Sequence, residues 1–362
     1  MTAKPVVTRK DFKDFYSIAG EIYRDNTLYR STEYDIQRLL LEGPSTFHSH
    51  ASVDGYLIQA GGSLKGRFAL IHDRRLPDYV QVSFFEALPQ LDDISTLITE
   101  MAHEKYPDSK KMIVGLNGHL NYGAGILLNA FNEAPVFGLP YNPDYYQEYF
   151  RNFTRRTMVS YRFPAEPFFE YHKKMGSHPD FKGISVRKMN KKRLRQETEL
   201  YTHLNNVCFS EHPFWADRDA REDFELFHPF RFLIKEENLL FAERDGEPIG
   251  FFFWYPDFNE LVRGHQHLGL QHVLRYRFAN PVKTFRFTEI AVLPGYMNSH
   301  AVQAMILFAV PYIQKQGFVT GEGGFIFEEN RSSLIMTRRF LERATGNSIE
   351  PHRRYAVFER EL

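Results

Sequence analysis

The sequence contains only one cysteine, Cys208, among its 362 residues. A single thiol excludes an intramolecular disulfide and any metal site built from several cysteines. The neighbouring residues Leu204, Val207 and Phe209 are apolar. This setting favours a buried structural thiol over a catalytic nucleophile, because a reactive cysteine needs polar or cationic neighbours that lower its pKa.

The chain also lacks an excess of charge of either sign, since 45 lysine and arginine residues balance 45 aspartate and glutamate residues. This balance argues against nucleic acid as the main partner, although a local basic patch is compatible with a neutral total. No run approaches the roughly 20 apolar residues that a membrane-spanning helix needs. The N-terminal segment Met1-Thr-Ala-Lys-Pro is polar and has no apolar signal core. We therefore expect a cytoplasmic protein without a membrane span.

Length and element order indicate two domains. A chain of 362 residues exceeds what one hydrophobic core usually fills. The apolar pattern predicts a helix, hairpin strands, a strand, a helix and a strand, and the same order then begins again. Alternating strands and helices favour a mixed α/β sheet in each half. We therefore predict an N-terminal domain over 1–163, a linker over 164–182 and a C-terminal domain over 183–362.

The segment 285–330 carries the most informative pattern. Its spacing predicts a strand over 285–292 and then a helix whose apolar stripe begins at Val302. A second strand over 324–327 leads into a helix over 332–344. A strand that runs through a short loop into a helix is the arrangement that binds anions at a helix N-terminus.

The start of the first of these helices can be predicted more closely. Asn298 and Ser299 both suit an N-cap, so we predict that the helix starts between Asn298 and His300. The backbone amides of residues 299–302 would then have no partner in the protein and would be available to an anion.

This segment resembles the GNAT acyltransferase superfamily. Val292-Leu-Pro294 matches the turn that ends the fourth strand of that fold, and Asn330 matches the asparagine that commonly opens its last helix. The chain as a whole resembles bacterial tandem GNAT-like proteins. That resemblance rests on Ala242-Glu-Arg-Asp-Gly-Glu-Pro-Ile-Gly-Phe, Pro256-Asp-Phe-Asn259, Phe327-Glu-Glu-Asn330, Arg353-Arg-Tyr-Ala-Val-Phe-Glu359, Gly115-Leu-Asn-Gly118 and Tyr141-Asn-Pro-Asp-Tyr-Tyr146.

The resemblance implies two tandem GNAT-like domains and an acyl-CoA-dependent N-acyltransferase. The fourth and fifth strands would splay apart, and the pantetheine arm of acetyl-CoA or another acyl-CoA would pair with the exposed strand edge. Glu289 would accept the proton of a small-molecule amine, with a surface or salt-bridged carboxylate as the alternative interpretation. The residues implied in CoA binding are Val292, Gly295, Tyr296, Met297, Asn298, Ser299, His300, Ala301 and Asn330. No metal and no nucleic acid partner is expected, and a homodimer is one option for the assembly.

A non-catalytic, GNAT-derived binding or scaffold protein is the second interpretation. The phosphate loop of the superfamily usually carries glycines and a cation, whereas residues 297–302 are Met-Asn-Ser-His-Ala-Val. The tyrosine that often protonates the leaving thiolate would fall near Thr337. This interpretation predicts that side chains, foremost those of Tyr296, Phe325 and Phe327, fill the groove between the two strands.

Two further patterns have alternative explanations. His265, His267 and His272 contain a His-x-His pair that suits a metal site, but no acidic residue lies within 263–275, so solvated loop histidines are favoured. Residues 116–127 are rich in glycine and asparagine and fit an anion-binding nest. A turn after a strand needs the same small residues, and we favour that explanation.

Overall fold

Secondary structure alternates along the whole chain in the computed structural model, which describes residues 1–31, 33–176, 181 and 183–362. The strands are β1 (Thr2–Pro5), β2 (Ala51–Ala60), β3 (Ser63–Asp73), β4 (Tyr79–Ala87), β5 (Lys111–Val114), β6 (Ile126–Leu127), β7 (Thr154–Pro164), β8 (Ile184–Lys188), β9 (Leu239–Arg244), β10 (Glu247–Pro256), β11 (Thr284–Val292), β12 (Thr320–Phe327) and β13 (Arg353–Glu361). The helices are α1 (Arg9–Ile22), α2 (Tyr34–Leu41), α3 (Ile94–Lys105), α4 (Tyr146–Tyr149), α5 (Glu166–Met175), α6 (Leu194–Phe209), α7 (Ala220–Phe230), α8 (Leu270–Ala279), α9 (Ala301–Lys315) and α10 (Arg331–Thr345).

Polar side chains determine where several of these helices begin. The Thr8 hydroxyl accepts a hydrogen bond from the Asp11 amide over 3.2 Å, and the Asp11 carboxylate accepts one from the Thr8 amide over 2.9 Å. Asp219 and Glu222 form the same reciprocal capping box at the start of α7. Asn330 caps α10, as expected from its position after β12. Each cap satisfies amides that a helix N-terminus otherwise leaves without a partner.

Two helices lie in segments that the sequence analysis predicts as a linker or a loop. The helix α5 lies within 164–182, which the sequence predicts as a linker with little periodicity, and residues 177–180 and 182 of that stretch lie outside the described residues. The helix α8 occupies part of the histidine-rich loop. None of the described helices is both long and apolar enough to cross a membrane.

The described residues pack into two compact units. The first unit comprises Met1–Met158, Val262–His267 and Arg353–Leu362, and the second comprises Val159–Leu261 and Leu268–His352. The last strand of the chain, β13, therefore lies in the first unit. The linear division at residues 163 and 183 stays a prediction about where two domains begin and end along the sequence.

In the first unit the strands follow the order β1-β2-β3-β4-β5-β13, with β6 beside β13. Pairing is parallel between β4 and β5 and antiparallel between β13 and β5. The core contains Phe68, Val82, Met112 and Phe358, all with no exposed surface. The end of the chain thus contributes a strand and core side chains to the unit that contains its beginning.

In the second unit the strands follow the order β7-β12-β11-β10-β9-β8. The strands β8 to β11 pair antiparallel, whereas β11 and β12 are parallel. The core contains Phe252, Trp254, Met305 and Ile313, each at most 1% exposed. A mixed sheet in each unit confirms the predicted mixed α/β class.

Candidate active site

The two parallel strands of the second unit separate halfway along their length. Thr284–Phe287 of β11 pair with Thr320–Gly323 of β12. Beyond these residues β11 continues to Val292 and β12 continues to Phe327 without pairing to each other. The two strands therefore part from Thr288 and Gly324 onward, which leaves an opening in the ladder and is the splay expected from the GNAT resemblance. The Arg286 Nη2 donates to the Gly324 carbonyl over 3.1 Å where the strands part.

A β-bulge lies where this opening begins. On β10, Phe253 pairs with Glu289 and Trp254 pairs with Phe287, so Thr288 has no partner residue across the ladder. A bulge bends its strand and redirects the side chains beside it. Here it sets the direction of the following residue, Glu289.

Glu289 is half-buried on β11 and is held by two donors from α6. The Tyr201 hydroxyl donates to its Oε2 over 2.6 Å, and the Asn205 Nδ2 donates to the same oxygen over 2.8 Å. Tyr201 and Asn205 are four residues apart and therefore lie on one face of the helix. Both bonds reach Oε2, which leaves Oε1 without a protein partner in the described part of the chain.

Buried charges lie behind this carboxylate. The Arg218 Nη2 lies 3.1 Å from Asp223 Oδ2, and both side chains are 1% exposed. The Thr202 hydroxyl donates to Asp223 Oδ2 over 2.6 Å. Burial raises the pKa of Asp223 to about 6, against the opposing effect of the Arg218 charge. Arg218 also lies over the Tyr201 ring at 5.7 Å, so the ion pair supports the tyrosine that holds Glu289.

The predicted CoA-binding loop runs from the end of β11 to the start of α9. Val292 pairs with Gly250, and a short 3-10 turn over Pro294–Tyr296 follows. The turn includes Gly295, which has open space around its Cα. Met297 and Asn298 are exposed. The strand–loop–helix order is present, and no lysine or arginine lies within 293–301.

The helix itself begins at Ala301, one residue beyond the predicted range 298–300. His300 occupies the N-cap position in the left-handed conformation, with φ 62°, and makes no capping hydrogen bond. The prediction that Asn298 or Ser299 caps the helix is wrong. The cap position is occupied by His300, whose left-handed backbone leads the chain into the helix. Left-handed backbone is costly for residues with a Cβ and is the conformation that glycine adopts freely.

The prediction that the amides of residues 299–302 are free is only partly correct. The Ser299 amide donates to the Tyr296 carbonyl over 3.0 Å, and the Ala301 amide donates to the Ser299 hydroxyl over 3.4 Å. Among the described residues the amides of Val302 and Gln303 have no partner. The His300 side chain is exposed, and its ring centroid lies 6.4 Å from that of Phe181.

The remaining residues predicted for this site are placed as follows. The Asn330 Oδ1 accepts hydrogen bonds from the Ser333 amide over 3.1 Å and from the Ser332 hydroxyl over 3.0 Å, so it is engaged as a helix cap. Tyr296 is half-buried with Arg244 above its ring. Phe327 is fully buried against the rings of His212 and Phe214, 5.2 and 6.0 Å away.

The first unit contains the same strand pair, but there the opening is closed. The strands β4 and β5 pair over 79–82 and 111–114, and β4 then continues to Ala87 past a bulge at Phe84, where φ is 53°. The Phe84 amide donates to the Asn117 Oδ1 over 3.0 Å, and the Ser83 hydroxyl donates to the Leu116 carbonyl over 2.6 Å. The segment after β5 therefore occupies the position that is open in the second unit.

The glycine-rich segment 116–127 makes close contacts with the strands beside it. The Gly118 amide donates to the Gln81 Oε1 over 2.8 Å, and Gly118 has φ 87°. A side chain at Gly125, with φ 101°, would lie 2.8 Å from the Met158 methyl group. The segment therefore needs small residues because it turns tightly against neighbouring strands. This agrees with the interpretation of the segment as a turn after a strand.

Glu86 takes the place of Glu289 in the first unit. It lies two residues beyond the bulge on β4 and accepts hydrogen bonds from the Tyr23 and Tyr146 hydroxyls over 2.9 and 2.6 Å. Its exposure is 8%, and burial raises its pKa. Glu86 is thus buried beneath two phenols, whereas Glu289 is half-buried.

The other candidate groups do not form a reactive site. His265 and His267 are exposed and lie against Tyr29 and Tyr34, with ring centroids 4.9 and 3.8 Å apart. No group of three or more metal-ligating side chains occurs among the described residues. Burial raises the pKa of the Cys208 thiol to about 11, which leaves little thiolate at neutral pH.

Comparison with solved structures identifies the fold. A tandem GNAT protein from the clavulanic acid biosynthesis pathway matches with a TM-score of 0.58 over 99% of this chain and 98% of its own, at 11% identity. A GCN5-related N-acetyltransferase from Sphaerobacter thermophilus gives 0.50 over 99% and 95%, at 11% identity. A probable N-acyltransferase from Enterococcus faecalis gives 0.52 over 99% and 72%, at 9% identity.

Sequence comparison adds no closer relationship, since neither a protein-family model nor a curated protein matches the chain. At 9–11% identity the structural likeness concerns the fold alone. The splayed parallel strands, the bulge and the strand–loop–helix segment all agree with it. The chain has the tandem GNAT fold.

Proposed function

We propose that the second unit is an acyl-CoA-dependent N-acyltransferase in which Glu289 is the general base. The observation that supports this most is the open strand pair, with a carboxylate beside the bulge at its start. Glu289 is the half-buried counterpart of the buried Glu86. Both carboxylates accept their hydrogen bonds on Oε2, but Oε1 of Glu86 lies 3.9 Å from Arg67 Nη2, whereas Oε1 of Glu289 has no partner in the described part of the chain. A base must reach the proton that it removes, so accessibility favours Glu289.

The donor proposed for the opening is acetyl-CoA or another acyl-CoA. The edge of β11 beyond Phe287 has no strand partner on the β12 side, and a pantetheine arm carries amides that can pair with such an edge. The unpartnered amides of Val302 and Gln303 lie at the N-terminus of α9, where the helix dipole favours the negative charge of a pyrophosphate.

In the proposed reaction an amine nitrogen attacks the thioester carbonyl carbon and forms the new C–N bond. Glu289 Oε1 takes the proton that the nitrogen loses, directly or through water. The C–S bond then breaks, and the electron pair leaves with the CoA sulfur as a thiolate, which is protonated from solvent. Tyr201 and Asn205 hold Oε2, so the free oxygen keeps a fixed direction toward the opening.

A non-catalytic ligand-binding or scaffold protein is the competing function. It is favoured by the absence of a cation in residues 293–301 and by the left-handed His300 at a position where glycine suits the backbone. Both features weaken an anion site without removing its free amides. The two functions make opposite predictions for CoA esters.

Binding and turnover experiments distinguish the two functions. A CoA ester present at a hundredfold its Kd should stabilise the protein by about 2.7 kcal/mol, so thermal unfolding with acetyl-CoA and with long-chain acyl-CoAs is the first measurement. Release of free thiol with a panel of amines then measures transfer. Glu289→Gln should lower kcat by roughly 100-fold or more and preserve the CoA-induced shift.

Glu247→Gln, an exposed carboxylate on β10, is the matched control and should keep full activity. Absence of a thermal shift with every CoA ester would overturn the acyltransferase proposal in favour of a binding protein. A shift without turnover on any amine would leave CoA binding in place and overturn the transfer step. Turnover that Glu289→Gln does not lower would remove Glu289 as the base.

A further inference from the structure

The helix α8 presents a row of exposed apolar side chains. Leu270, Leu274 and Phe278 are 75%, 46% and 85% exposed. They are four residues apart and therefore lie along one face of the helix. A row of three such side chains on one helix is unusual for a surface that faces only water.

The opposite face of α8 anchors the helix in the second unit. His272 and Tyr276 are 6% and 3% exposed. The Tyr276 hydroxyl donates to the Gln316 Oε1 over 2.9 Å, and the Tyr276 ring packs edge-on against Phe258 at 5.7 Å. Since this face is fixed, the helix cannot turn its apolar row inward without breaking these contacts.

The charge around the row is positive. No aspartate or glutamate occurs within residues 268–288, whereas Arg275 and Arg277 stand next to Leu274 and Phe278 in the sequence. Both arginines are exposed and make no ion pair in the described part of the chain. In a chain with no net charge this makes the outer face of α8 locally basic, while Glu237 lies near its buried face, where burial and the Glu237 charge raise the pKa of Tyr276.

Neighbouring residues extend that surface. Burial and the nearby charge of Arg277 lower the pKa of Lys191, while Glu236 and Glu237 partly offset this. The Lys191 Nζ donates to the Ile234 carbonyl over 2.8 Å, which places it beside the loop that carries Phe232. Phe232 is 56% exposed.

We propose that α8 is an interfacial anchor that seats this protein on an anionic phospholipid surface, with Leu270, Leu274 and Phe278 in the headgroup–acyl boundary and Arg275 and Arg277 on lipid phosphates. Exposed apolar area and attraction to anionic lipid add together at a membrane surface, and the outer face of α8 offers both. Arginine also suits that depth, because its apolar stem lies along hydrocarbon while its guanidinium reaches the phosphates.

The charges also decide against a second copy of the chain as the occupant of this face. Two copies meeting through α8 would bring their unpaired arginines together, which is unfavourable in a desolvated interface. This inference does not depend on the acyltransferase proposal.

Co-sedimentation of the full chain with vesicles tests the anchor. We expect binding to mixed phosphatidylcholine and phosphatidylglycerol vesicles, weaker binding to phosphatidylcholine alone, and a loss of binding as salt is raised. Arg275→Glu with Arg277→Glu should weaken binding by about thirtyfold or more, since each basic residue near an anionic surface contributes about fivefold. Leu274→Ser with Phe278→Ser should abolish it.

Val7→Ser, at a residue 74% exposed in the first unit, is the control for removal of an exposed apolar side chain and should bind as the parent does. Circular dichroism verifies that each variant is folded. Equal binding by all variants, or no binding to either vesicle, overturns the proposal. A dimer in light scattering that Leu274→Ser with Phe278→Ser converts to a monomer would show that a second copy covers the face, and this also overturns it.

Discussion

Tyr201 donates its hydroxyl to Glu289 Oε2 over 2.6 Å, across 88 residues of sequence. Burial and the Glu289 charge raise the pKa of Tyr201 well above its ordinary value, so the phenol stays protonated and remains a donor. Together with Asn205 it holds Oε2 of the carboxylate and leaves Oε1 without a partner in the described part of the chain. The proposed base is thus held both by the bulge in its own strand and by two donors on the helix α6.

Tyr201→Phe should lower stability and activity through Glu289. A hydrogen bond to a charged group contributes about 1.5–3 kcal/mol, and we expect a loss of about 2 kcal/mol in urea unfolding. In the Glu289→Gln background the loss should be smaller, because the partner charge is absent. Under the acyltransferase proposal kcat should fall more than KM rises. Tyr171→Phe is the control, because it also removes one tyrosine hydroxyl, which accepts a hydrogen bond from Gln303 on α9. Equal losses in both backgrounds would refute the coupling.

Two Arg–Asp pairs near the start of α7 differ strongly in burial and should respond differently to substitution. Asp223→Asn leaves Arg218 buried without its counter-charge and should destabilise the protein by about 3–5 kcal/mol. Arg221→Met breaks the pair with Asp219, in which the arginine is 69% exposed, and should have no measurable effect on unfolding. A similar response of both pairs in chemical denaturation would contradict this account.

Glu33 makes the stability of the protein depend on pH. Burial and the charge of Glu86 raise its pKa to about 7, although the Asn117 Nδ2 donates to its Oε1 over 3.0 Å. Its folded pKa lies above the unfolded value, so the charged form is disfavoured in the fold. This group therefore lowers stability as pH rises through the range from the unfolded pKa to about 7.

Glu33→Gln should remove that effect while it keeps the oxygen that accepts from Asn117. Each pKa unit corresponds to about 1.4 kcal/mol, and because part of the side chain meets solvent we expect a gain of about 2 kcal/mol at pH 8. The gain should shrink below about 1 kcal/mol at pH 5. Urea unfolding at both pH values measures it, with the exposed Glu21→Gln as control. A gain that is independent of pH would contradict the assignment.

Local signals in the sequence predict most elements of the second unit but not the geometry of the site. The strand β11, the helix α10 and its Asn330 cap follow from apolar spacing and cap chemistry, which act within a few residues. The bulge at Thr288 depends on pairing with β10, and the Tyr201 bond depends on the packing of α6. Such features are set by tertiary contacts, so no local pattern indicates them.

The closure of the strand pair in the first unit is likewise set by contacts between residues that lie far apart in the sequence. Glu86 and Phe84 give no signal that their surroundings are closed, because the closing residue Asn117 lies 33 positions further along the chain. The glycines of 115–118 indicate a turn, but not that the turn lies against β4. Sequence alone therefore left open which half has an accessible strand pair.

His300 is the residue that decides whether the loop before α9 works as an anion site. Its left-handed backbone, with φ 62°, disfavours any residue with a Cβ, so His300→Gly should be more stable than His300→Ala by about 1 kcal/mol. Both variants remove the imidazole of the residue that precedes α9, and only the glycine also relaxes the backbone. Isothermal titration with acetyl-CoA therefore separates the two effects. Stronger binding in both variants means that the ring obstructs the site, and stronger binding in His300→Gly alone means that the backbone does. If neither variant binds any CoA ester, the anion site is absent from this chain and the non-catalytic function prevails.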